Sequence, residues 1–580
     1  MEHMESIISF FQSITSFAVP MIVLLGLLIF VHEMGHFLVA KYFKVRVEVF
    51  SLGFGPKLFK FKRGDTVYAI SAIPLGGYVK MFGDDPTADV ASDQKPHSFL
   101  HKPVGQRIAV VLAGPLMNFF FAIVLFAGVA MIGEQALAPK LGDITPESAA
   151  HAAGFRSGDT VVSAAGQNVK TWDDFQAIVE KNADQKVPVV VDRSGAQATL
   201  EVTPKLGTNK NVLSWDRAVG EVDGLTYSSK ASAIGIADPK SAAYAAGLRT
   251  GDVVASVNGE KTAKWRELIA AIEKHSATGQ LDLEVERGIL DEKKEGTSTM
   301  KIALPLPESA KGQTADKALA SVGIEYPELY LAGIEKGSPA EKAGLQKGDR
   351  LLSINGQALN SFDQVATIIR SFGQDPSNVH REGASEKKAV VDPLSFAVLR
   401  NGETVTVALA PNMKERMSPQ GREEKRFEIG IRPLILEAVP STLELVSENP
   451  VQAVTRGFQQ TMKWTSLTVL SFVRLFQAEV SPKNIGGFLS IGQMAKKSWQ
   501  IGPAQFLNIM AIISINLFIL NLLPVPVLDG GHLVFYTIEA VKGAPLSLRK
   551  MEIAQQVGLV LLLGLMVFAL FNDVTRLVFN

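Results

Sequence analysis

The sequence predicts a multi-pass α-helical membrane protein with four transmembrane helices, repeated α+β modules outside the membrane and a β-hairpin region inside. Three observations carry this. Four stretches are apolar for the ~20 residues that a helix needs to cross a bilayer; they run from Val19 to Ala40, Ile108 to Ile132, Phe506 to Leu528 and Val557 to Phe571. Between the second and third the chain is polar and mixed, and one pattern recurs there three times. After the first span, Val67 to Met81 reads as strands around a glycine-rich turn.

Composition narrows the function classes. The chain has 580 residues, too many for one domain. Lys plus Arg number 58 and Asp plus Glu 58, so charge gives no argument for a nucleic acid partner; the lipid bilayer is the partner that the apolar runs require. There are no cysteines. That excludes disulfides and thiolate metal sites and leaves histidines and carboxylates as the strong ligands.

Residues 1–41 form the first transmembrane helix. Its leader, Met1 to Ser16, has no Lys or Arg, and the apolar run continues into His32-Glu33-Met34-Gly35-His36, so it reads as a retained span and not a cleaved signal. Each ionisable group within a bilayer costs about 2.5–3.5 kcal/mol on insertion scales, so three together point to a function. On a helix His32 and His36 share a face, and Glu33 stands beside the ion they would hold. This is the HExxH zinc-hydrolase pattern, with Zn2+ as cofactor and Glu33 as general base. Two merely satisfied histidines would not explain a glutamate at that depth. A metal transporter would not need Glu33 between the ligands.

Residues 42–103 form a loop; Lys41 at the end of the first helix and Lys44, Arg46, Lys57, Lys60, Lys62 and Arg63 after it are basic, and the loop after the third span carries Lys542, Arg549 and Lys550. The positive-inside rule makes both cytoplasmic, so the two termini and the long middle lie outside, in the periplasm of a Gram-negative cell. Within the first loop, Pro74-Leu75-Gly76-Gly77-Tyr78, preceded by Gly53-Phe54-Gly55-Pro56, predicts a hairpin whose edge offers pairing to an extended peptide. Residues 104–133 form the second span, where a proline kink eased by small residues accounts for Ala113-Gly114-Pro115-Leu116-Met117-Asn118.

The middle holds three modules, residues 134–225, 226–313 and 314–436. Each contains a short helix closed by glycine and a Gly-Asp turn into an apolar strand, at Gly158-Asp159, Gly251-Asp252 and Gly348-Asp349. Turns such as Asn258-Gly259 and Asn355-Gly356 follow. Gln374 to Val391 reads as a flexible polar insertion. Residues 437–500, with Trp464, Phe472 and Phe476, predict amphipathic helices on the outer membrane surface.

Residues 501–530 form the third span, and 531–580 a cytoplasmic loop and the fourth. The third ends Asn521-Leu522-Leu523-Pro524-Val525-Pro526-Val527-Leu528-Asp529-Gly530-Gly531-His532. Two histidines leave a catalytic zinc one protein ligand short. Asp529 falls at the same side of the bilayer as His32 and His36, beyond two helix-breaking prolines, and is the expected third ligand. His532 reads as a neighbour of the site and not a ligand.

HEMGH in the first span, the Asp-Gly-Gly-His segment after the third and the repeated modules between, which are similar to PDZ domains, together resemble the site-2 protease family, and within it the bacterial RseP-type branch. The resemblance spans most of the chain. It implies a zinc endopeptidase of the inner membrane that cuts single-pass membrane proteins, an anti-sigma factor or remnant signal peptides, after a first cut on the outer side. It further implies that the hairpin dips into the membrane and holds substrate, with Gly76 and Gly77 in the binding edge, and that Asn516 and Asn521 hold the substrate backbone. The PDZ-like modules are then a filter for substrate size. The chain departs from that branch in carrying three modules where two are usual, and Phe488 where proline is usual. The alternative is a catalytically silent PDZ scaffold, which would have no reason to keep a charged cluster in lipid.

Overall fold

The computed structural model of the protein describes residues 2–85, 90–209, 211–288, 297–375, 379–381, 389–417, 423–447 and 449–579. Four helices among these are long and apolar enough to cross a membrane, over Thr15–Tyr42, Val104–Ile132, Pro503–Leu522 and Leu548–Arg576. The first belongs to a longer helix, α1 (Glu2–Tyr42).

After α1 come two long strands, β1 (Val47–Arg63) and β2 (Thr66–Met81). They do more than form a hairpin. Leu52 pairs with both Gly77 and Ile70, and Ile70 pairs in turn with Phe59. Each strand therefore bends back, at the positive-φ glycines Gly53 and Gly55 in β1, and the two halves of each build four rows. The segment Gly77 to Met81 is an outer row of that sheet and lies beside α1. Helix α2 (Val104–Ile132) follows, with Pro115 inside it.

The three modules share one plan. Each holds a four-stranded antiparallel sheet: Gln167–Asn168, Thr160–Ala164, Val187–Arg193 and Ala196–Val202 in the first, with the same order in the second and third. The Gly-Asp aspartate is bound identically each time. Asp159 accepts from the Arg156 backbone and from Arg193, Asp252 from Arg249 and Arg287, and Asp349 from Gln346 and Arg400. The same arginines reach the carbonyls of Gly154, Gly247 and Gly344. A buried carboxylate needs such a partner, and the arginine ties the end of one strand to the turn that begins another.

The second module differs where the other two are open. Helices α3 (Trp172–Lys181), α4 (Trp265–His275) and α6 (Phe362–Gln374) occupy equivalent places in the three modules. The chain then passes Gly224, Gly323 or Gly430, each seated against Ser148, Ser241 or Ser338. Before that glycine the first module has the pair Lys205–Thr208 with Ala218–Glu221, and the third has Asn412–Met417 with Glu423–Glu428. A cavity of about 570 Å³ lies beside α3, lined by Phe175 and Val179, and one of about 750 Å³ beside α6, lined by Val365 and Ile369. In the second module α5 (Ala315–Val322) stands there instead, and Ala315, Ala318, Leu319 and Val322 share a core with Leu268, Ala271 and Ile272 of α4. Its groove is filled by its own chain.

Three expectations are corrected. In the polar insertion, Val379–Arg381 pairs with Ala389–Val391 in place of a flexible loop, while residues 376–378 and 382–388 lie outside the described part. The boundary expected after residue 313 moves, because α5 belongs to the core of the second module. Helix α7 (Pro450–Phe476) lies in the stretch expected to hold amphipathic helices, and small residues let it run along α2. Ala453 packs on Ala127 and Ala130, and Gly457 faces the Ile123 carbonyl. Last, the segment after Asp529 is helical, not a loop.

Helix α8 (Phe488–Ile501) starts at Phe488 itself. Its free N–H groups are met by Asp573 from the far end of the chain, 2.9 Å from the Gly487 nitrogen and 3.0 Å from that of Leu489. Helices α9 (Pro503–Leu522), α10 (Asp529–Lys542) and α11 (Leu548–Phe579) complete the fold. Leu24 and Leu28 of α1, Leu125 and Phe126 of α2, and Met510 and Ile515 of α9 form the apolar centre of the helical part.

Candidate metal centre

Helix α1 turns His32 and His36 toward the break between α9 and α10. Their Nε2 atoms lie 3.2 Å apart. Asp529 Oδ2 is 3.1 Å from His32 Nε2, and Oδ1 is 3.6 Å from His36 Nε2. A tetrahedral ion with bonds of about 2.0–2.2 Å holds its donors roughly 3.3 Å apart, so these atoms can share one ion. Among the described residues this is the group of histidine and acidic side chains so placed.

Glycines make the approach possible. A Cβ on Gly35 would strike the Ala113 backbone, and one on Gly114 would enter the His36 ring. Gly35 thus lets α1 touch α2, and Gly114 makes the space for His36. Asp529 opens α10, where the helix dipole favours a carboxylate. Gly530 and Gly531 follow because any side chain there would meet the backbone of Leu522, Leu523, Val525 or Pro526. Glu33 lies close to all three candidate ligands and is hydrogen-bonded from the Val79 backbone. It stands between the ligand group and the outer row of the sheet.

Peptidase family M50 matches residues 20–565. The chain belongs to that family. It is similar to protease RseP of Yersinia pestis, at 32% identity over 96% of this chain and 98% of the relative. It is similar also to the regulator of sigma-E protease RseP of Escherichia coli, at 29% over 98% of this chain and all of the relative (100%). A protein of Neisseria meningitidis named as a zinc metalloprotease matches at 31% over 95% of this chain and 97% of its own length. The M50 chain is a zinc metalloprotease of the site-2 type.

The other site residues expected from sequence are distributed around this centre of the M50 chain. Gly77 has Glu33 Cγ 3.0 Å from where its Cβ would be, so glycine is required for β2 to lie against Glu33. Gly76 leaves room for the Phe54 ring, which stacks on Tyr78. Asn516 accepts a hydrogen bond from Thr468 Oγ1 of α7 at 2.9 Å. Asn521 is half-buried in the last turn of α9. Five positions separate the two asparagines, which a helix places on different faces. His532 sits beside Phe535 and Tyr536, outside the ligand group.

Sequence reasoning missed the supports. His36 Nδ1 donates to the Val110 carbonyl at 2.8 Å, which fixes its proton there and frees Nε2. Arg107 of α2 forms a bidentate pair with Glu539 of α10, and its guanidinium lies 4.8 Å from the Tyr536 ring centre. Asn118 faces His32. Of these, only Asn118 lay in a segment that the sequence had drawn attention to.

Proposed function

We propose that His32, His36 and Asp529 hold Zn2+ and that Glu33 is the general base of an endopeptidase acting inside the bilayer on single-pass membrane proteins. The observation that carries this is the convergence of three ligand atoms from opposite ends of the chain, with Glu33 beside them and an open sheet edge beyond. When bound, the zinc acidifies an attacking water and polarises the scissile carbonyl. Glu33 accepts the proton of that water and delivers it to the leaving amine. The Val79 hydrogen bond holds the carboxylate in place for both transfers.

A helical substrate hides its carbonyls and must be extended before attack. The outer row Gly77 to Met81 offers strand addition next to Glu33, and Gly76 and Gly77 keep that edge free of side chains. Asn516 and Asn521 hold the substrate backbone from α9. Phe59 and Phe61, 72% and 64% exposed at the far end of β1 and alternating with Lys60 and Lys62, support the hairpin dipping into the inner leaflet.

The basic loops support a site toward the cytoplasmic side of the inner membrane, with both termini and the modules periplasmic. An anti-sigma factor, remnant signal peptides or both are the substrates, after an outer-side cut. The PDZ-like modules filter substrates by the size of their outer domain. The open grooves beside α3 and α6 support peptide contact by the first and third modules, with the second as the piece between them. Cleavage of a single-pass test substrate, intact and trimmed of its outer domain, tests the reading. The trimmed form is cut and the intact form spared; equal cutting of both removes the filter, and cutting of neither returns the scaffold reading.

A further inference from the structure

Val110, Gly114 and Asn118 recur at every fourth residue and form one stripe of α2, against which His36 and His32 lie. The stripe treats the two rings differently. For His36 the partner is a main-chain carbonyl, which can only accept. For His32 it is a carboxamide: Asn118 Nδ2 stands 3.3 Å from His32 Nδ1, and Asn118 Oδ1 is buried with no hydrogen-bond partner.

A metal on His32 Nε2 requires the ring proton on Nδ1. Two donors would then face each other, while a buried acceptor stays unmet beside them. Both defects end together if the carboxamide turns by 180°, since its two ends have the same shape. The oxygen then accepts from Nδ1–H, as the Val110 carbonyl does for His36. Asn118 is fully buried, so no solvent competes for that oxygen.

We infer that Asn118 is the positioning residue for His32, its carboxamide oxygen taking the Nδ1 proton and leaving Nε2 directed at the metal. This rests on the reading of His32 as a zinc ligand. The side chain is available for it because a separate group holds the helix: Ser514 of α9 donates to the Asn118 main-chain carbonyl at 2.8 Å. Packing and orientation are thus divided between the backbone and the side chain of one residue.

The test is zinc affinity of the purified full chain, by competition with a chromophoric chelator, with circular dichroism reporting the fold. Asn118→Leu, which removes the acceptor at similar volume, loosens zinc by about tenfold or more, in the range that loss of an orienting partner produces. Asn118→Asp, which keeps an acceptor, holds zinc at least as tightly as the unaltered chain. Ser514→Ala, which removes only the helix contact, leaves zinc affinity unchanged. Unchanged affinity in Asn118→Leu, or equal loss in Asn118→Asp and Asn118→Leu, overturns the inference, as does loosening by Ser514→Ala of the same size. If Asn118→Leu does not fold, Asn118→Asp decides: retained affinity supports the assignment and lost affinity ends it. His32→Ala is measured alongside. Zinc held by that variant at full affinity would overturn the ligand reading itself, a failure distinct from that of Asn118.

Discussion

Arg107 grips Glu539 across 432 positions of sequence, and this pair joins the helix that orients the histidines to the helix that begins with Asp529. Both side chains are largely buried, at 8% and 16% exposure. Tyr536 covers the guanidinium from the same helix as Glu539. The pair therefore ties α2 directly to α10, beside the close packing of Gly530 and Gly531 on the irregular segment between α9 and α10.

Removing one member leaves the other charged and poorly solvated, at a cost of about 3–5 kcal/mol. Glu539→Ala and Arg107→Ala are each expected to lower the unfolding midpoint and weaken zinc binding. The double replacement Arg107→Met with Glu539→Leu is expected to recover most of the stability. A thermal-unfolding double-mutant cycle measures the coupling, and strict additivity would show that the pair does not act as a unit.

Gly114→Ala adds one methyl group inside the space of the His36 ring. The helix tolerates alanine, so the expected result is normal helix content with bound zinc reduced about tenfold or more. Metal analysis on the folded variant checks this. Gly26→Ala, where no atom lies within 4 Å of the added methyl, is the control expected to change neither.

The sequence made the ligand group legible because each part is local: HEMGH on one helical face, and an Asp-Gly-Gly after two prolines. The three Gly-Asp turns were legible for the same reason. What joins these parts was not. Arg107 and Glu539 have no sequence proximity, and α10 resembled a basic loop. The doubling back of β1 and β2 depends on register shifts at Gly53 and Gly55, which alternation alone does not reveal. The arginines that bind the Gly-Asp carboxylates lie 34, 35 and 51 residues further on, and the third interval is stretched by the insertion.

The filled groove of the second module predicts a different response to mutation there. Leu319 is buried between α5 and α4, so Leu319→Ala should destabilise that module by about 2–5 kcal/mol. Limited proteolysis is expected to find new cutting within the second module, including α5 up to Glu325, which pairs with Gly235, and nowhere else. In the open grooves, Gln176→Trp and Ala366→Trp, at lining positions outside the two cores, should leave the fold intact and relax discrimination against substrates with outer domains. Retained discrimination in both would remove those grooves from the filter.

A chelator should abolish cleavage reversibly, with zinc restoring it, because no protein group replaces the metal in polarising the carbonyl. Cleavage rate against free zinc concentration gives the check. Activity that survives complete metal removal would exclude the mechanism.

The most direct measurement is zinc content together with cleavage of a trimmed single-pass substrate, for the unaltered chain, Asp529→Ala and Glu33→Gln. The account predicts one zinc per chain and cleavage in the first, loss of both in the second, and zinc without cleavage in the third. Full zinc occupancy in Asp529→Ala, or normal cleavage by Glu33→Gln, would contradict it.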